Sequence, residues 1–146
     1  MLSGTPPLPR PSGTRPTPGP GASRSAALAA CADAALILIF AAIGRDAHQR
    51  GDVISGVLST AWPFLVGAAV PWLALRLWRS PLAIWPSGVA VWFGAVTVGM
   101  LLRAVTGQTV VLPFVIVALL SLGLLLLGYR LVAAGARRLN TRRRKA

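Results

Sequence analysis

One aspartate lies inside an otherwise apolar stretch of the chain, and it is the residue best placed to do chemistry. Asp33 stands about eight residues into the apolar run 25–44. At 1.5 Å per residue of helix, this is about 12 Å from the start of the run. A buried carboxylate is costly unless it is paired or hydrogen-bonded. We therefore expect Asp33 to face the protein interior, bind a partner or carry a proton.

Two polar side chains on later apolar runs fall at a depth similar to that of Asp33. They are Trp92 and Ser121, and their N–H and hydroxyl groups are predicted to cap the carboxylate in one polar layer. Arg76 and Arg130 start too near the ends of their runs to reach it without a tilt or kink. This candidate site has two open interpretations, a proton relay or cation site and a hydrogen-bonded packing device.

A second polar cluster follows the first apolar run. It contains Arg45, Asp46 and His48, and Arg103 ends the third run on the same side. Hydrolytic chemistry would use His48 as a base with an aspartate to orient it. The spacing singles out no such triad, so a solvated connector with salt bridges is the favoured interpretation. Arg103 is a candidate partner for Asp46 or for an anionic ligand.

Scarcity of metal ligands limits the chemistry further. The sequence has one cysteine, Cys31, and one histidine, His48. One copy of the chain therefore has no intrachain disulfide and no multi-histidine metal site. It has no phosphate-binding loop either. We expect no haem, flavin, nucleotide or metal cofactor, and no enzymatic activity.

The composition places these residues in a membrane protein. The chain has 146 residues, of which 55% are hydrophobic and only 12% charged, and its mean hydropathy is +0.68. Soluble domains carry about twice that share of charge. Four apolar runs reach the roughly 20 residues that a bilayer requires, and backbone groups in lipid must be paired internally, so the runs are predicted to be helices. Their approximate ranges are 25–44, 57–77, 82–102 and 110–132.

Two polar segments flank the predicted transmembrane domain of residues 25–134. Residues 1–24 are rich in proline and glycine and lack apolar periodicity, so they are predicted to be a disordered tail. Residues 135–146 form a polybasic tail, which should contact anionic phospholipid headgroups. Nucleic acid is the disfavoured alternative partner of this tail.

Positive charge predicts the orientation. Twelve of the 15 lysines and arginines fall on the side that both termini share with the second loop, and the other three are Arg45, Arg50 and Arg103. The positive-inside rule then places both termini in the cytoplasm. The amino-acid usage suggests a GC-rich bacterial genome, which makes the plasma (inner) membrane the predicted location.

The four runs show a weak internal repeat. The second and fourth runs each contain a Pro-Phe pair, Pro63-Phe64 and Pro113-Phe114, and each ends near an arginine. Two duplicated helical hairpins would give this pattern. Proline at first turns and arginine at interfaces in unrelated helices would give it as well.

The order and spacing of several short motifs resemble those of a family of small bacterial four-helix membrane proteins known only as a domain of unknown function. The motifs extend from about Ala29 to Arg130 and are Asp33, Phe40, Gly44-Arg45, His48, Trp62-Pro63-Phe64-Leu65, Gly99, Leu102-Arg103, Pro113-Phe114 and Gly128-Tyr129-Arg130. The resemblance implies a four-helix architecture and a bacterial membrane location. It implies no activity.

The sequence thus predicts an all-α bundle of four transmembrane helices with a non-enzymatic role. A small-solute or proton-coupled transporter built around Asp33 is the alternative, and it would act as a homo-oligomer because four helices enclose little space. A membrane enzyme that uses His48 is a more distant alternative. The expected partners are the lipid bilayer and its anionic headgroups.

Overall fold

The computed structural model describes residues 20–46 and 52–143, and four long helices dominate this part of the chain. They are α1 (Pro20–Asp46), α2 (Val53–Ala74), α3 (Val89–Val105) and α4 (Leu112–Arg143). Four helical segments are long and apolar enough to cross a membrane, Arg24–Gly44, Val53–Ala74, Ile84–Val105 and Leu112–Arg143. The all-α, four-helix prediction is therefore confirmed, whereas the duplication of hairpins stays a prediction.

Both ends of the bundle are more helical than the sequence suggested. Helix α1 already begins at Pro20, so residues 20–24 do not belong to a disordered tail, and residues 1–19 lie outside the described residues. Helix α4 continues to Arg143 through most of the segment that was predicted as a separate tail. Alanine and arginine are strong helix formers, and no proline follows Pro113 to stop the helix.

Helix α3 begins later than predicted, at Val89 instead of residue 82. Two short elements precede it in the α2–α3 connection, a 3-10 turn at Leu77–Arg79 and an irregular turn at Ile84–Gly88. Trp85 lies in extended conformation within the second turn, with φ −114° and ψ 129°. Proline sterically disfavours helical geometry in the residue before it, and Pro86 follows Trp85.

The α2–α3 connection folds back onto the bundle. The side chain of Leu77 is almost fully buried and Ser87 has no exposed surface. The Ser87 hydroxyl donates a hydrogen bond of 2.7 Å to the Ser80 carbonyl. The connection therefore packs as part of the core.

Helices α2 and α3 cross at glycine. A Cβ atom on Gly67 would lie 2.7 Å from the Gly94 carbonyl oxygen, and one on Gly94 would lie 2.7 Å from the Gly67 carbonyl oxygen. Further along, Gly99 faces the Phe64 ring, whose Cδ1 would lie 2.8 Å from an added Cβ. Small residues at such crossings let backbones approach closely in membranes, so Gly94 and Gly99 have a packing role.

Two prolines inside α2 free carbonyl groups, and neighbouring residues contact them. Pro63 and Pro71 cannot donate to the carbonyls four residues earlier. The Ser59 carbonyl accepts a long hydrogen bond of 3.4 Å from the Gln108 amide, and the Gly67 carbonyl faces Gly94 at the crossing. This is how proline is accommodated in transmembrane helices.

The core is narrow and most of each helix surface faces outward. Phe64 is fully buried, and its ring meets the Phe40 ring edge-on at a centroid distance of 5.5 Å. Only 17 to 33% of the residues in the four apolar windows are buried inside the protein. Large apolar side chains such as Leu124 and Leu28 are more than 70% exposed. In a bilayer this surface contacts lipid chains.

We expect the Gly94→Ala variant to lose about 1 to 3 kcal/mol of unfolding free energy, because its Cβ would collide with the α2 backbone. The matched control is Gly128→Ala, since a Cβ at Gly128 meets nothing within 4 Å. That control should be as stable as the wild type or slightly more stable. Unfolding by detergent titration measures both values, and equal stability of the two variants would contradict the tight crossing.

Candidate functional site

An ion pair between α1 and α4 lies at the centre of the polar residues inside the bundle. The Arg130 guanidinium donates from Nη1 to Oδ1 of Asp33 at 2.7 Å and from Nη2 to Oδ2 at 2.8 Å. Asp33 is 2% exposed and Arg130 has no exposed surface. This bidentate geometry is the strongest arrangement for a pair of a guanidinium and a carboxylate.

Two further donors complete the environment of the carboxylate. The Trp72 indole N–H, near the end of α2, donates to Oδ2 of Asp33 at 2.9 Å. The Tyr129 hydroxyl, on α4, donates to Oδ1 at 2.8 Å. A carboxylate has about four lone-pair sites, so the four bonds from Arg130, Trp72 and Tyr129 saturate Asp33.

Arg130 also ties the α2–α3 connection to the pair. Its Nε donates to the Pro81 carbonyl at 3.3 Å, and its Nη1 donates to the Leu126 carbonyl at 2.9 Å. A Cβ on Gly88 would lie 2.8 Å from Cδ of Arg130. The absence of a side chain at Gly88 therefore makes room for the stem of the arginine.

The expectation that Arg130 starts too near the membrane surface to reach Asp33 was wrong. Because α4 extends to Arg143, Arg130 lies well inside the helix instead of at its end. Side chains on a helix also lean toward its N-terminus, which on α4 is the direction of the opposite membrane face. The Arg130 side chain follows this direction and bonds to the carbonyl of Leu126, one turn earlier.

The predicted polar layer of Asp33, Trp92 and Ser121 does not form. The Trp92 indole N–H donates to the Leu119 carbonyl at 3.0 Å and packs over Gly123, where an added Cβ would lie 3.0 Å from Nε1. Ser121 is half-buried and is not among the donors that the structure describes for Asp33.

The prediction considered how deep each residue lies in the membrane, but not the direction in which its side chain points. Ser121 and Arg130 are nine residues apart on α4. At 3.6 residues per turn, this separation places them on opposite faces of the helix. Arg130 faces Asp33, so Ser121 points away from it. Equal depth in the membrane was therefore a necessary condition for contact and not a sufficient one.

The second predicted cluster is described only in part. The structure gives the backbone of Arg45 and Asp46, which end α1, while His48 lies outside the described residues. The enzyme alternative that uses His48 therefore stays a prediction. Arg103 lies in the last turn of α3, where its Nη2 donates to the Thr109 carbonyl at 3.3 Å and its guanidinium lies 4.6 Å from the centroid of the Phe114 ring.

Sequence reasoning missed Trp72 and Tyr129 and discounted Arg130. A signal for the pair was present, since Asp33 is the one acidic residue inside the four apolar runs. A charge in lipid pairs with an opposite charge where it can, and Arg130 is followed by the apolar residues Leu131 and Val132. Trp72 and Tyr129 lie near the ends of the second and fourth apolar runs, where tryptophan and tyrosine usually act as interfacial anchors.

These features define the chain as a four-helix, multi-pass membrane protein with a buried ion pair in its core. It belongs to the family described as "Protein of unknown function (DUF3054)", whose pattern matches residues 30–133. The resemblance found in the sequence is thus confirmed. The matched range includes Asp33, Trp72, Tyr129 and Arg130. No curated protein and no solved structure matches the chain significantly.

The two single-charge variants should together lose more unfolding free energy than the double variant that removes both charges. We expect Asp33→Asn and Arg130→Met each to lose about 3 to 5 kcal/mol of unfolding free energy, because each leaves an uncompensated buried group. The double variant should lose less than the sum of the two.

The control for these three variants is Ser121→Ala, which should change the free energy of unfolding by less than about 0.5 kcal/mol. Detergent unfolding of the purified variants gives all four values. Additive losses in the double variant, or a Ser121→Ala loss as large as that of Asp33→Asn, would contradict the assignment of the pair.

Proposed function

We propose that this chain is a non-enzymatic membrane bundle in which the Asp33–Arg130 pair is a structural clamp. The observation that carries the proposal is the saturation of the Asp33 carboxylate by donors from α2 and α4. With the Arg130 bond to Pro81, the cluster joins three helices and the α2–α3 connection. Its members come from distant parts of the sequence, so the cluster fixes how these elements pack.

A saturated carboxylate is poorly suited to exchange a ligand. A proton, a cation or a solute at Asp33 would have to displace a donor that is already in place. The displaced indole, phenol or guanidinium group would then be left without an acceptor in a site that water does not reach, which costs several kcal/mol. This supports a packing role over a relay role for Asp33.

A small-solute or proton-coupled transporter remains the second candidate, and one observation favours it. Asp33 and Trp72 line a groove of about 290 Å³ between α1 and α2, so the pair borders space that a ligand could enter. Charged groups within membranes commonly mark transport pathways. Such a transporter would act as a homo-oligomer, because the four-helix core around the pair is closely packed.

The proposed location is the bacterial plasma membrane, with both termini in the cytoplasm. Charge supports this orientation, since twelve of the 15 lysines and arginines lie on the terminus side. The far side of the described chain holds the α3–α4 loop with Thr109. The near side holds the end of α4 with Thr141.

The end of α4 is proposed to bind anionic phospholipid headgroups. The helix has 32 residues, which span about 48 Å, or about 18 Å more than the hydrocarbon thickness. The surplus carries exposed Arg137, Arg138, Arg142 and Arg143. Each such charge contributes about 1 kcal/mol near an anionic membrane surface.

The decay of a pH gradient across reconstituted vesicles distinguishes a structural clamp from a transporter. We expect vesicles with the wild-type protein to hold an imposed pH gradient as long as protein-free vesicles, because the Asp33 carboxylate has no site for a moving proton. A trapped pH-sensitive dye reports the decay. If the wild type dissipates the gradient and the folded Asp33→Asn/Arg130→Met variant does not, the proton-coupled alternative replaces the clamp.

Cysteine labelling tests the orientation. In a Cys31→Ser background, a membrane-impermeant maleimide applied to intact bacterial cells should label the Thr109→Cys variant. It should label the Thr141→Cys variant only after lysis, because the excess of positive charge keeps that end inside. The opposite labelling pattern would invert the proposed topology.

A further inference from the structure

A groove runs between α1 and α2 on the outside of the bundle. Its volume is about 290 Å³ and its lining is almost entirely apolar. Small side chains open it, namely Ala30 and Ala34 on α1 and Ala69 on α2. Asp33 and Trp72 line its inner side and are hydrogen-bonded to one another. Little polar surface is therefore exposed in the groove.

The groove lies in the leaflet on the side of the termini. Its lining on α2 extends from Leu65 to Leu73, one residue before the end of the helix. Eight residue steps of helix are about 12 Å long. This approaches the roughly 15 Å of hydrocarbon that one leaflet provides.

The size of the groove fits one hydrocarbon chain better than a second helix. Its volume is about 290 Å³. A helical segment about 12 Å long and about 10 to 12 Å wide occupies about 1,000 Å³. The groove therefore has room for a single acyl chain, whereas a helix could insert no more than a side chain.

Two arginines follow the terminus-side end of the groove along α1 and α2. Arg76 follows Leu73 by three residues, and Arg24 precedes Ala30 on α1 by about 9 Å of helix. Both are exposed. The three acidic residues of the sequence are Asp33, Asp46 and Asp52, and the last two lie at the opposite end of α1 and α2. The Asp33 carboxylate is saturated, so no acidic side chain is left to neutralise Arg24 and Arg76.

Arg76 has a backbone conformation that suits glycine better than arginine. Arg76 has a positive φ of 51° at the position after the α2 C-cap residue Leu75. Glycine is the usual residue at this position because other residues pay about 1 kcal/mol or more in this conformation. Arg76 therefore occupies a position that the backbone alone would favour for glycine.

We infer that the α1–α2 groove binds one anionic phospholipid of the terminus-side leaflet, with an acyl chain in the groove and the phosphate on Arg76 and Arg24. The apolar lining supplies affinity for the chain, and the two guanidinium groups select a net negative headgroup. This site is separate from the proposed headgroup contacts at the end of α4, and it does not depend on them.

The first test titrates delipidated protein in detergent micelles with phosphatidylglycerol or phosphatidylcholine of the same acyl chains. Native mass spectrometry counts the bound lipids. We expect one phosphatidylglycerol to bind about tenfold more tightly than phosphatidylcholine, because only the former keeps a net negative charge for the two arginines. Equal binding of the two lipids would overturn the inference.

Two variants test the groove and the arginine charge separately. Ala34→Leu/Ala69→Leu fills the groove and should abolish tight binding of the lipid. Arg76→Gly keeps the backbone conformation and removes the charge, and should lower the preference for phosphatidylglycerol about fivefold. The second variant remains decisive if the first does not fold, because Arg76 is exposed and glycine suits its conformation.

Matched controls separate this site from general surface charge. Arg79→Gln removes a neighbouring exposed arginine of the α2–α3 connection, and Arg137→Gln/Arg138→Gln removes two charges from α4; both should keep the tenfold preference. If a control loses as much preference as Arg76→Gly, diffuse charge explains the binding and the inference fails. A dimer that dissociates when the groove is filled would also overturn it, in favour of a second copy as occupant.

Discussion

The packing of this protein depends on how it neutralises two opposite charges inside a membrane. Asp33 and Arg130 are both shielded from solvent, and either charge alone would be expensive there. Their bidentate contact offsets part of that cost, and the bonds from Trp72 and Tyr129 occupy the remaining acceptor sites of the carboxylate. Because lipid offers no replacement donors or acceptors, the elements that carry these groups must stay together.

The rest of the fold is arranged around this requirement. Gly88 leaves space for the arginine stem, and the α2–α3 connection turns inward so that Pro81 presents its carbonyl to Nε. The irregular turn before α3 is thus part of the core and not a loose connection. On the other side of α2, the close crossing at Gly67 and Gly94 brings α3 against the same helix that supplies Trp72. Helix α2 is therefore held by close packing of small residues on one side and by the hydrogen bond to the ion pair on the other.

The narrow core leaves a broad apolar surface, which has consequences for function. A four-helix bundle with a saturated ion pair has little internal space for a ligand, and the groove beside that pair opens outward between α1 and α2. The space open to a ligand in the described chain therefore lies at its surface, where we infer that a phospholipid binds.

The sequence alone determined the four helices, because hydrocarbon thickness and internal hydrogen bonding set their length and type. It also marked Asp33 as a charge in need of a partner. It did not determine which partner Asp33 takes, since depth follows from residue number but the direction of a side chain depends on helix rotation, helix extent and the path of the connections. Only the tertiary structure decided that Arg130, Trp72 and Tyr129 converge on Asp33 while Trp92 and Ser121 do not, because that choice rests on contacts among residues up to 97 positions apart.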